Sequence, residues 1–85
     1  MVKRKMRVAK FTAIFESAEE GGYVVTVPSL PGCVTEGDTL EEAVVMAKDA
    51  IAGYIGSLKK HGEPIPNGDS DSFVGVIDVP IPTTP

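Results

Sequence analysis

Residues 22–43, GYVVTVPSLPGCVTEGDTLEEA, contain the change from strand to helix periodicity that decides the fold. The run 23–27 is rich in β-branched residues and ends at Pro28, which is typical of a strand. Pro31 and Gly32 then predict a tight turn, because proline presets φ and glycine supplies a left-handed position. The stretch therefore begins with a strand and a turn.

The second half of this stretch predicts a short strand and then a helix. The strand covers residues 33–36, and Thr39 and Glu42 have the spacing of a capping box. Apolar residues then recur every three or four positions, which predicts one helix over residues 39–61, ended by Gly62. The apolar stripe consists of Leu40, Val44, Ala47, Ile51, Tyr54 and Leu58.

The flanking sequence supplies the remaining elements. Residues 7–17 alternate between apolar and polar side chains, which predicts a strand paired with 23–27 as a hairpin. Residues 62–72 have loop composition, and residues 73–79 predict a last strand that ends at the following prolines. The predicted fold is a two-layer α+β domain in the order β-β-β-α-β.

Two features of this fold suggest that something packs against it. Glycines 53 and 56 lie inside the helix at a cost of about 1 kcal/mol each relative to Ala, which suggests a close neighbour there. One helix about 10 Å wide is narrower than a four-stranded sheet with strands about 4.8 Å apart. An apolar second face then predicts self-association. Its residues are Val8, Ile14, Val24, Val74 and Val76; the alternative is a hydrated face, made polar by Lys10, Thr12, Glu16, Thr26 and Asp78.

The chain has 85 residues, 42% of them hydrophobic and 24% charged, and we expect one folded domain over residues 1–85. Residues 1–6 form a basic N-terminal arm and residues 80–85 a proline-rich tail. No apolar run approaches the roughly 20 residues of a membrane-spanning helix, and no signal peptide is evident. We therefore expect a cytoplasmic protein.

Charge is distributed unevenly along the chain. Five basic and no acidic residues lie in the first ten positions, whereas residues 11–85 contain three basic and twelve acidic residues, a net charge of −9. An acidic body repels phosphate and attracts basic surfaces, so nucleic acid is an expected ligand only through the basic arm. An oligomeric nucleic-acid-binding or regulatory domain that uses this arm is the alternative function.

The sequence offers few candidates for catalysis. His61 follows two lysines at the predicted helix end, where it is expected to cap carbonyl groups, and Cys33 lies in a short buried strand. Glu16, Glu36 and Asp78 are the one carboxylate set that fits a degenerate nuclease, although solvated strand ends explain them more simply. We predict no enzyme activity, no metal site and no cofactor.

Residues 22–43 also resemble the signature of the HicB family of type II antitoxins. In that family a Tyr-x-Val-x-x-Pro hairpin leads through Leu-Pro-Gly-Cys into Gly-Asp-Thr-x-Glu-Glu-Ala at the helix start, and the similarity extends over residues 11–81. Two departures stand out: Ser29 replaces a commonly acidic residue, and we expect no appended DNA-binding segment after Pro85. The matching motif residues are Tyr23, Pro28, Leu30, Pro31, Gly32, Cys33, Gly37, Thr39, Glu42 and Ala43.

The resemblance implies a partial RNase H-like fold without catalytic carboxylates, assembled into dimers or tetramers. It also implies a partner of the HicA type, a small basic toxin that cleaves messenger RNA. An acidic body suits such a partner, because complementary charge speeds encounter. The candidate partner contacts are Glu36, Asp38, Glu41 and Glu42, whereas the glycines, prolines and Thr39 of the motif are expected to shape turns and cap the helix.

Overall fold

The computed structural model describes residues 8–69 and 73–84. Three strands form one antiparallel sheet in the order β1-β2-β3, and helix α1 follows them along the chain. The bounds are β1 Ile14–Ser17, β2 Tyr23–Thr26, β3 Val34–Gly37 and α1 Leu40–Lys60. The predicted α+β class is confirmed. The basic arm, residues 1–6, lies outside the described residues, as do residues 70–72 of the predicted loop and Pro85.

Strand pairing separates the side chains of the sheet into two faces. Phe15 lies opposite Val25, and Val25 lies opposite Thr35 on the next strand. These residues share the face that packs on α1, where Val25, Ala43 and Ala47 form a buried cluster. The alternation predicted for the first strand is confirmed for Phe11, Ala13 and Phe15, which all pack against the core. The strand predicted over residues 7–17 is too long, because only Ile14–Ser17 pair with β2 and residues 8–13 have no regular structure.

The turn at residues 28–32 contributes a second part of the core. Leu30 is 1% exposed and forms a buried cluster with Val27 and Cys33. Three short-range hydrogen bonds close this turn, including Cys33 N to Leu30 O at 2.9 Å, and Gly32 has a φ of 81°. The left-handed position predicted at Gly32 is therefore confirmed, and it allows the turn to direct Leu30 inward.

The N-cap predicted at Thr39 and the C-cap predicted at Gly62 are both present, but within the described residues the Glu42 side chain does not complete the predicted capping box. The Thr39 hydroxyl accepts a hydrogen bond from Glu42 N at 3.1 Å, so a first-turn amide is satisfied. At the other end Gly62 has a φ of 67°, and Glu63 N donates to Leu58 O at 2.9 Å. This pattern is a Schellman motif, which satisfies the last carbonyl groups of the helix.

The start of α1 packs on the backbone of β3 at Gly37. A Cβ atom placed on Gly37 would lie 2.5 Å from Ala43 N and 2.6 Å from Ala43 Cα. The helix therefore presents its small side chains, Ala43 and Ala47, to the sheet. The predicted stripe is wrong in its first turns, because Leu40 and Val44 are exposed. The rest of the stripe is confirmed at Ala47, which is buried, and at Ile51 and Tyr54, which pack against the core; in the first turn Ala43 is buried instead of Val44.

Two further predictions are wrong. Residues 73–79 form no strand and are exposed, because a strand forms only where another strand accepts its hydrogen bonds, which local sequence does not report. Gly53 and Gly56 have open space where a Cβ would stand. Nothing in the described parts of the chain requires glycine at either helix position.

We predict opposite effects of alanine at two glycines. Gly37→Ala inserts a methyl group against the helix backbone and should destabilise the protein by about 1–3 kcal/mol. Gly56→Ala adds the same methyl group in open space within the helix and should stabilise it by up to about 1 kcal/mol. Urea unfolding followed by circular dichroism measures both, and equal midpoints for the two variants would contradict the packing described here.

Candidate protein-binding surfaces

An acidic cleft lies where β3 meets the start of α1. It has a volume of about 300 Å³ and lies beside the β1–β2 turn. Three acidic residues, Glu20, Glu36 and Asp38, line it together with Tyr23 and Val24. Two more acids, Glu41 and Glu42, occupy the adjacent first turn of α1. The cleft and this turn together are called the acidic end below.

The predicted partner residues all lie at the acidic end, and all four are exposed. None of the carboxylates of Glu36, Asp38, Glu41 and Glu42 pairs with a cation in the described parts of the chain. The basic residues of α1 in its last turn, Lys59 and Lys60, lie at its opposite end. Within residues 8–69 and 73–84 the acidic end is therefore a negative surface without compensating cations. It lies close to the N-terminus of α1, whose dipole favours acids there.

The outer face of the sheet, opposite α1, is mixed in character. Ile14 lies opposite Thr26, and Thr26 opposite Val34; one pair further along, Val24 lies between Glu16 and Glu36. Apolar and polar side chains thus alternate across this face. Of the residues predicted for an oligomer face, the structure brings Ile14 and Val24 together, whereas Val8, Val74 and Val76 lie outside the sheet and are exposed.

One structural residue escaped the sequence analysis. Asp69 accepts a hydrogen bond from Thr12 N at 2.8 Å and one from the Ser29 hydroxyl at 3.4 Å, and its own N donates to Lys10 O at 2.6 Å. It thereby ties the chain after α1 to the residues before β1. The three partners are distant in sequence, so no local pattern indicated this contact.

The residues considered for catalysis have other roles or do not converge. His61 Nδ1 lies 2.7 Å from Ser57 O at the helix end, as the predicted cap requires, and Cys33 is buried in the core. Glu16 and Glu36 stand on either side of β2, about 10 Å apart at ordinary strand spacing. Asp78 lies outside the sheet and is exposed. The three carboxylates therefore do not form one site within the chain.

Comparison with known proteins identifies the family of this chain. The model of the family described as HicB-like antitoxin of bacterial toxin-antitoxin systems matches residues 11–76. A UPF0150 protein of Thermoplasma acidophilum is 52% identical over 64 residues, which cover 75% of this chain and 93% of the relative. The chain belongs to the HicB-like antitoxin family. The resemblance found in its sequence is confirmed.

Other relatives differ in how much of their length this chain covers. A UPF0150 protein of Archaeoglobus fulgidus is 40% identical over 74 residues, covering 87% of this chain and 97% of the relative. Antitoxin HicB 1 of Photorhabdus laumondii is 40% identical over 57 residues, covering 67% of this chain but 37% of that antitoxin. Most of the longer antitoxin thus has no counterpart in the matched region. Within residues 8–69 and 73–84, no helix has the length and apolar character needed to cross a membrane.

The Thr39 hydroxyl caps α1, and we predict that Thr39→Ala reports this scaffold role. Loss of the hydroxyl that accepts from Glu42 N should lower stability by about 1 kcal/mol, whereas Thr39→Ser keeps the cap and should change it little. Gly32→Val should be more destabilising, because a β-branched residue is poorly tolerated at a φ of 81°. Urea melts measure all three, and an unchanged midpoint for Thr39→Ala with loss of partner binding would assign Thr39 to contact instead.

Proposed function

We propose that this HicB-like chain binds and silences a basic ribonuclease toxin of the HicA type by covering its active site. The single observation that carries the proposal is the acidic end of a member of an antitoxin family, a group of exposed carboxylates that pair with no cation among the described residues. A basic toxin would bring the missing cations. The chain is proposed to act in the cytoplasm, where such a toxin meets messenger RNA.

The proposed mode of action is occlusion and not catalysis. The described candidates for chemistry are already used: His61 caps α1, and the Cys33 thiol packs in the core. By contrast, the carboxylates of the acidic end make no hydrogen bond or ion pair within the described residues. Carboxylates without a partner among the described residues are available for charge-assisted contacts with lysine or arginine of another protein.

The acidic end combines charge with a shape that suits a protruding side chain. Its cleft is lined by the acids Glu20, Glu36 and Asp38 and also by Tyr23 and Val24. A lysine or arginine packs its aliphatic stem on apolar surface while its charged head contacts carboxylates. The cleft is therefore proposed to receive a basic side chain of the toxin, and the first turn of α1 to steer its approach.

Two further features of the family are proposed for this chain. The arrangement of three antiparallel strands followed by a helix on one face is compatible with a partial RNase H-like fold. Residues 1–85 are proposed to act as one domain that self-associates into a dimer or tetramer. Nucleic-acid binding through residues 1–6 is the alternative if no toxin is bound.

The direct test is co-expression with a small basic toxin candidate of the HicA type, sought first in the neighbouring reading frame. A complex that survives purification, and messenger RNA that stays intact when the chain is in excess, are the expected results. A toxin that remains active without forming a complex would contradict the proposal. Binding of RNA or DNA that falls steeply with salt would then favour the alternative.

We predict that charge reversal at the acidic end slows association with the toxin. The variant Glu41→Lys/Glu42→Lys changes the net charge by four units, and so does the control Asp49→Lys/Glu63→Lys, which alters exposed residues further along the chain. If the acidic end faces the toxin, the first variant should associate about tenfold more slowly than the control. Surface plasmon resonance at about 0.05 and 0.5 M salt measures this, since screening reduces a steered rate.

Two controls make this comparison interpretable. Lysine in the first turn of α1 opposes the helix dipole by about 0.3–1 kcal/mol per residue, so circular dichroism must show that the variant is folded. Equal association rates for the two variants would mean that only the overall charge of the chain steers the encounter. That result would contradict the assignment of the contact to the acidic end.

A further inference from the structure

The chain ends in an extended apolar segment that packs on little of its own body. Phe73 is 93% exposed, Val76 94% and Ile77 83%. Asp78 is the one ionisable side chain of this segment, residues 73–81, which is called the C-terminal segment below. Its six large apolar side chains are Phe73, Val74, Val76, Ile77, Val79 and Ile81. A monomer rarely leaves so much consecutive apolar surface in water.

The sheet has a free edge, at β1, that could pair with this segment as a further strand. β1 pairs with β2 on one side and with no described strand on the other. An edge strand presents unpaired N–H and C=O groups, which accept a further strand. Near this edge Phe11 and Phe15 are only half-buried, so α1 leaves the β1 side of the core partly uncovered. The edge therefore offers both backbone groups and apolar surface.

The C-terminal segment does not lie along the β1 edge of its own chain. Asp69 binds Lys10, Thr12 and Ser29, which places it beside the turn that ends β2. Val74 lines a shallow depression with Thr12, Pro28, Ser29 and Asp69 at the same end of the sheet. The segment thus leaves the body at the β2 side of residues 10–12, away from the outer edge of β1.

Two properties favour the β1 edge over the β3 edge: the charge nearby and the length of chain that is available for pairing. β3 ends at the acidic end, where Glu36 and Asp38 would repel Asp78. The β1 edge is preceded by Lys10, which would attract Asp78 instead. β3 is also confined between the turn at Gly32 and the start of α1, whereas the chain before β1 is free of regular structure over residues 8–13 and can extend the pairing.

We propose that residues 73–79 of one chain pair with the outer edge of β1 in a second copy, and that the exchange is reciprocal. Alternation would place Phe73, Ile77 and Val79 on one face of the sheet and Val74 and Val76 on the other. With the first set on the helix side, they would cover Phe11 and Phe15 of the second copy. The second set would then join Ile14 and Val24 on the outer face, assembling the predicted oligomer face from two chains.

A second copy is the occupant because one chain holds one free segment and one free β1 edge. In a reciprocal exchange about a two-fold axis, the C-terminal segment of each chain pairs with the β1 edge of the other. No segment and no β1 edge is then left unpaired, so the assembly closes as a dimer. The exchange also supplies the fourth strand that the sequence predicts and the isolated chain lacks. The proposal does not depend on the toxin partner, and its test contains no toxin.

Light scattering behind a sizing column tests the exchange. The chain of 8.9 kDa should elute at about 18 kDa, or at a multiple of that mass. Val76→Pro removes an amide donor from the segment and should shift the protein to about 9 kDa, whereas the control Thr83→Pro lies beyond the paired residues and should not. A wild-type mass of about 9 kDa, or a Val76→Pro variant that keeps the wild-type mass, would overturn the proposal.

Cysteine cross-linking tests the same contact without relying on assembly mass. A Val76→Cys chain is mixed with a ¹⁵N-labelled chain that carries Thr12→Cys, Ile14→Cys or Glu16→Cys, and mass spectrometry identifies disulfides between the two. At least one β1 position should cross-link, because paired strands bring Cβ atoms within disulfide distance, whereas the exposed helix variant Lys48→Cys should not. No β1 cross-link, or an equal yield with Lys48→Cys, would overturn the exchange.

Discussion

The contact between Gly37 and the backbone of Ala43 determines how the two layers of this protein meet. Because no side chain separates β3 from α1 there, the helix starts directly on the sheet, and only small residues, Ala43 and Ala47, fit beneath its first turns. This orientation turns Leu40 and Val44 outward. It also places the acidic first turn of α1 beside the acids at the end of β3, so one close contact creates both the packing and the acidic end.

The same close packing leaves the core small and incomplete. Its buried residues are Val25, Val27, Leu30, Cys33, Ala43 and Ala47, none of them aromatic. Phe11, Phe15 and Tyr23 are only half-buried around them, and the C-terminal segment is exposed. A small domain of this kind buries a limited fraction of its surface and gains much from assembly. The surfaces left open, charged at one end and apolar along the β1 edge, are the places where partners are proposed to bind.

The sequence correctly predicted the features that depend on residues close together along the chain. The cap at Thr39, the positive φ at Gly32 and the alternation through Phe15 follow from residues within a few positions of each other, and the structure confirms them. The rotation of α1 and the Asp69 contact depend on residues far apart in sequence, so periodicity missed them. The strand predicted for residues 73–79 failed for a related reason, since a strand needs a pairing partner. The acidic residues were identified from charge alone, and the structure brings them to one end.

The acidic end is proposed to be the surface by which this antitoxin-family chain holds a toxin. Amide hydrogen exchange, measured by mass spectrometry on the chain alone and with saturating toxin, tests that claim most directly because it maps contact along the whole chain. The predicted result is slower exchange over residues 20–24 and 36–43, with little change at the far end of α1 over residues 57–63. Slower exchange confined to residues 57–63, or none over residues 36–43 in a complex that forms, would contradict it.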